Sequence, residues 1–193
     1  MRTLYRSLLV PTLCVAVSVL MFADVSHAKK GGNSGSKVKI EVRAELEPIG
    51  TSEPDAEGQA RHKNETRNGV IKKDEFKATV KIPFPSSALG ITTETEAENA
   101  DIRLILSNTV GNFAVCFLEF DEIEDEDDEG EMAEFKVDVR IKKGAVQEKK
   151  GMCTLTAGGS VVPDAQDGAV ATARHIAAGG TPTDFLQGTF ELH

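Results

Sequence analysis

The chain has 193 residues, with 22 basic against 31 acidic side chains and a formal net charge of −9. That length fits one ordinary domain or two very small ones. An acidic surface repels phosphate backbones, which argues against nucleic acid and against an anionic membrane as partners. No Trp is present and Tyr5 is the single Tyr, so carbohydrate binding by ring stacking is disfavoured.

Residues 1–28 have the three parts of an export signal: Arg2 and Arg6, an apolar run from Ser7 to Phe22, and Ser26-His27-Ala28 at the cleavage point. Sixteen residues interrupted by Pro11 and Ser18 are short for a bilayer span, and Leu13 before Cys14 is too bulky for lipid processing. Cleavage is expected after Ala28, so the expected location is secreted or periplasmic, in the cell envelope, with no membrane insertion afterwards. Removing Arg2, Arg6 and Asp24 leaves 20 basic and 30 acidic residues, a net of −10. Residues 29–37, beginning Lys29-Lys30-Gly31-Gly32, read as a flexible Gly/Ser/Lys leader.

The first strand follows, with Val38, Ile40, Val42, Ala44 and Leu46 on one face and charged residues on the other. Pro48, Gly50, Pro54 and Gly58 punctuate a turn-rich connection. A weak strand leads to Asn68-Gly69, a hairpin signal, and Asn64-Glu65-Thr66 before it is a glycosylation sequon. Phe76, Ala78, Val80, Ile82 and Phe84 then alternate, and Pro83 and Pro85 end that ladder. One helical turn fits the polar stretch 92–101. Ile102, Leu104 and Leu106 mark a strand, and residues 113–120 are apolar on both faces, the pattern of a central strand. After the acidic segment, Phe135, Val137, Val139 and Ile141 alternate. Three further strands are expected around 152–159, 169–178 and 184–192.

About nine short strands without helical periodicity predict an all-β, antiparallel β-sandwich of Ig-like architecture over 38–193, with a barrel as the alternative. The run of features resembles exported Ig-like modules, a likeness of fold that implies no activity. Three blocks recur in order, 39–43 with 136–140, 54–62 with 163–175 and 76–82 with 185–192. An internal duplication of a strand meander would leave that trace.

Cys116 and Cys153 remain after the signal is removed, and in an oxidising compartment one pair is most simply a disulfide. Closing that loop is worth roughly 3–4 kcal/mol in the chain-entropy model. The acidic segment 119–134 holds eleven carboxylates in sixteen positions. From Asp125 it begins like a calcium loop, with Asp127, Glu129 and Gly130 in step, but Lys136 stands where the bidentate Glu is required. It therefore reads as a solvated hairpin loop, with calcium at Asp125, Asp127 and Glu129 as the alternative and no other cofactor expected. His62 and His175 hold matching places in the recurring blocks, but two His without a third ligand make a poor metal site. No local enzyme signature is present. The expected role is non-enzymatic: a structural or protein-interaction module at the envelope or outside the cell. A divalent-cation binding protein is the second reading, and an enzyme assembled around His62 and His175 the third.

Overall fold

The computed structural model describes residues 36–51, 53–126 and 130–193. The expected signal and most of the leader lie outside them. Eleven antiparallel strands run in chain order: β1 (Lys37–Pro48), β2 (Glu57–Arg67), β3 (Val70–Pro83), β4 (Ile102–Asn108), β5 (Gly111–Glu126) and β6 (Gly130–Lys142). They continue as β7 (Ala145–Lys150), β8 (Met152–Leu155), β9 (Val170–His175), β10 (Thr183–Thr189) and β11 (Glu191–Leu192). One short helix, α1 (Glu94–Glu98), carries a capping box between Thr93 and Glu96.

The expected sandwich is corrected here. A single sheet runs β6-β3-β2-β1-β10-β9-β4-β5 and closes where β5 pairs again with β6, an eight-stranded barrel. Its interior is built by the two-residue pleat. Val42, Ala44 and Leu46 of β1, Phe76 to Ile82 of β3, Phe135 to Val139 of β6 and Ile102 to Leu106 of β4 point inward at alternate positions, each at most 3 % exposed. Phe185 and Phe190 complete the filling. Each fully buried Phe, Leu, Ile or Val contributes on the order of 2 kcal/mol. The outward positions carry Lys, Arg and Glu, the reverse of a barrel that faces lipid.

Closure near β5 and β6 needs a wedge. These strands pair over Glu119–Glu126 and Gly130–Lys136 and then part. Into the gap runs the β7–β8 segment, β7 on β6 and β8 on β5. At the crotch sits Gly151, with φ +57, where a Cβ would lie 2.3 Å from the Phe117 carbonyl oxygen. Only glycine fits there. Cys116 and Cys153 stand directly opposite each other in this wedge and form the expected disulfide, with sulfurs 2.01 Å apart.

Covers close the two ends of the barrel. Over one lie Leu89, Ile91 and Ala97 from the β3–β4 connection, and the Ser86 hydroxyl donates to the buried Glu53 carboxylate. Over the other passes the strap 156–169, with Val162, Pro163 and Ala165 buried. Two hairpins project past these ends in opposite directions. Val70 begins β3 at the β2–β3 turn, whereas Pro83 ends it level with Met132 and Glu124, on the arms of the β5–β6 hairpin. The thirteen intervening steps span roughly 40 Å.

The acidic segment is therefore not the loop expected from its charge. Residues 119–126 and 130–134 are strand, and only 127–129 lie outside the described residues. The recurring blocks leave a topological trace, since β6-β3-β2 and β1-β10-β9 are neighbours in the same order. Their registers disagree: His62 faces Phe76, but His175 faces Thr183 rather than Phe185. Phe76 faces Val139, whereas β1 meets β10 only at Glu47–Gln187 and Pro48–Leu186.

Candidate functional site

Asp127 and Glu129 of the expected cation site lie outside the described residues, and Asp125 is exposed opposite Glu131. The carboxylates that converge are different ones. Asp121, Glu122 and Glu134 bring oxygens within 4.8 Å of one another, because Glu122 faces Glu134 across the hairpin. Lysines already occupy the space between them. Lys136 Nζ lies 2.7 Å from Asp121 and also contacts Glu134, and Lys150 donates to Asp121. These ammonium groups hold the Asp121 carboxyl below its usual range, Lys136 more than Lys150, while its two carboxylates push the Lys136 ammonium up. The cluster is an ion-pair network in which Lys136 and Lys150 pair with Asp121 and Glu134, and Glu122 is exposed.

His62 is brought inside the barrel at 3 % exposure. Its Nδ1 lies 2.8 Å from the Ala165 carbonyl oxygen and its Nε2 lies 2.8 Å from Asp74 Oδ1. The Ala165 carbonyl and an ionised Asp74 carboxylate are both acceptors, an arrangement that favours the doubly protonated ring. Burial pulls its pKa down, but Asp74 and the Ala165 carbonyl outweigh burial and hold it above the ordinary value. The result is a buried ion pair that fastens the strap to β2 and β3. His175 is not its companion. It faces Ile102 and Thr183, whereas the His62 row runs through Val42 to Leu192. Thr183 and Leu192 stand at opposite ends of the β10–β11 run, roughly 30 Å apart. Burial lowers the pKa of His175, against the weaker pull of the Asp101 carboxylate.

Two features escaped the sequence reading. The first is a shallow open groove on the outer face, where Arg43, Gln59, Arg61, Lys77 and Gln187 surround the β1–β10 crossing. Its floor is Gly188, where a Cβ would lie 1.9 Å from the Glu45 carbonyl oxygen. Beside it Glu41 is 4 % exposed under Arg43 and Lys39, whose hydrogen bonds bring its pKa down to about 2. The second is the tip formed by the start of β1 and the β2–β3 turn, where Val38, Ile40, Val70 and Ile71 are all about half exposed. Alternation marks Val38 and Ile40 as inward, but at this end no element among the described residues lies above them. The sequon residue Asn64 lies within β2, between Ile40 and Asp74 and before the turn, as expected.

No protein family, characterised protein or solved structure matches this chain.

Proposed function

We propose that the protein is an exported, non-enzymatic module that works by contact, either structural or protein-binding, at the cell envelope or outside the cell. The filled lumen carries this reading: Phe76, Phe135, Phe185 and Phe190 are completely buried, so the barrel offers no enclosed chamber for a substrate. Its buried Glu41, His62, Asp74, Glu75 and Glu134 are held in ion pairs rather than displayed in a cleft. What the molecule presents is its outside, namely the polar groove, the acidic hairpin and the half-apolar tip. The disulfide suits an oxidising compartment. Cross-linking the chain at its native surface is expected to trap one partner, and Gln59→Arg at the groove wall is expected to change the yield. Turnover of any substrate on a panel of esters, peptides, glycosides and phosphoesters overturns the reading.

A further inference from the structure

We propose that the β1/β2–β3 tip docks end-on into the surface of an anionic lipid bilayer. The inference starts from how charge is distributed in a chain that is acidic as a whole. Residues 36–40 and 63–73 hold Lys37, Lys39, Lys63, Arg67, Lys72 and Lys73 and one carboxylate, Glu65. Lys39 and Lys63 pair with Glu41 and Lys73 with Glu75, just inside this stretch, so the cations left for a partner are chiefly Lys37, Arg67 and Lys72. Arg67 and Lys72 have no carboxylate partner among the described residues, and Lys37 reaches Glu65 only at 3.4 Å with its side chain 62 % exposed. The carboxylates of the β5–β6 hairpin project from the opposite end, so net charge conceals a molecule that is basic at one tip and acidic at the other.

Apolar exposure coincides with the basic tip. Of the eight large hydrophobic residues exposed among those described, four belong to it: Val38, Ile40, Val70 and Ile71. The register places them around the tip rather than on one side. Val38 faces Thr66 and Thr66 faces Ile71, so these share one face; Lys37 faces Arg67 and Arg67 faces Val70, so Val70 lies on the other. A flat protein partner would cover one face and leave the other wet. A fluid surface surrounds a tip inserted end-on and covers both.

From Val70 back to the level of Ile40 is about three residues, roughly 10 Å, the depth to which interfacial elements enter the boundary between headgroups and acyl chains. At that depth the lysines and Arg67 ring the tip at headgroup level, with their alkyl stems along the apolar residues and their charges on the anions. A soluble anionic polymer matches the cations but covers no aliphatic surface. A second copy docking by the same tip would set Lys37, Arg67 and Lys72 against their own like charges. The proposal rests on the reading of an exported module, but its test is separate.

The barrel is complete within residues 36–193, so the chain beginning at Lys29 serves for the test, which keeps the apolar 7–22 run from binding lipid itself. Co-sedimentation is expected with phosphatidylglycerol vesicles, weakening as salt rises, and not with phosphatidylcholine vesicles. Lys37→Gln with Lys72→Gln is expected to weaken binding roughly 30-fold. Val70→Asp with Ile71→Asp is expected to abolish it, whereas Ala178→Asp, an exposed change at the opposite end, leaves it intact; thermal melts verify that each variant is folded. Three results overturn the proposal: no retention on phosphatidylglycerol, retention indifferent to both tip variants, or a tip-dependent dimer in sedimentation that accounts for pelleting. Enzymatic turnover with intact vesicle binding would remove the contact-module reading and leave the docking tip standing.

Discussion

The two projecting hairpins are built alike and stabilised differently. At the base of the β5–β6 hairpin Phe120 meets Phe135 edge-on at 5.8 Å, Lys136 and Lys150 pair with Asp121 and Glu134, and the Cys116–Cys153 bond braces β5 below. The β2–β3 tip is fastened by the His62–Asp74 pair with its bond to the strap and by the ion pairs of the buried Glu41 and Glu75, and above them the apolar residues stand open. The base of a dense run of like charge is thus held by Lys136 and Lys150, while further out carboxylates face one another, Glu122 opposite Glu134 and Asp125 opposite Glu131. A strand with a regular apolar face is left uncovered because it outruns the barrel.

The difference can be broken most strongly at the acidic side. Reducing the disulfide, or replacing it by Cys116→Ala with Cys153→Ala, is expected to cost about 3–4 kcal/mol, measured by urea unfolding with and without reductant. Lys136→Met removes the cation between Asp121 and Glu134 and is expected to cost about 1–3 kcal/mol. Because Asp121 has a lowered pKa in the folded protein, its contribution is present above the ordinary carboxyl value and lost as pH falls. The Lys136→Met deficit should therefore shrink in acid.

At the other hairpin the sign reverses. The pKa of His62 is raised, so its contribution is complete below the ordinary imidazole value of about 6.5 and is lost as pH rises through the folded value. His62→Gln is expected to cost about 1–2 kcal/mol near pH 6 and less in mild alkali. Subtracting the variant's melting curve from that of the parent at each pH removes the opposite contribution of His175. The smallest effect is expected at the turn. Asn68 and Gly69 sit at φ 54 and 74, and Asn68→Ala should cost about 1 kcal/mol, with amide exchange accelerated in β2 and β3 and unchanged in β5.

Much of this was legible residue by residue. The alternation of Phe76 to Ile82, the Asn68-Gly69 turn, the single helical turn at 94–98 and the cysteine pair each follow from short-range rules. β7 was not legible: Lys143 and Gly144 adopt φ 52 and 79, the same turn geometry as Asn68-Gly69, but Lys gives no turn signal and residues 145–150 do not alternate. The acidic arms were misread for a related reason. Eleven carboxylates resemble a solvated loop until register sets Glu119 opposite Lys136 and Lys150 near Asp121. His62 looked like an edge residue because Asp74 and Ala165 approach it from twelve and 103 residues away.

By itself the sequence determined which residues turn inward along the regularly alternating strands, that the chain reverses at Asn68-Gly69, and that two cysteines can meet. Those properties depend on a residue and its neighbours within a few positions. Tertiary structure alone decided that the sheet curls shut instead of stacking as two layers, through contacts such as Glu47 with Gln187. It alone decided that positive and negative tips end at opposite poles, because that outcome depends on the pairing of distant strands, which no local period encodes.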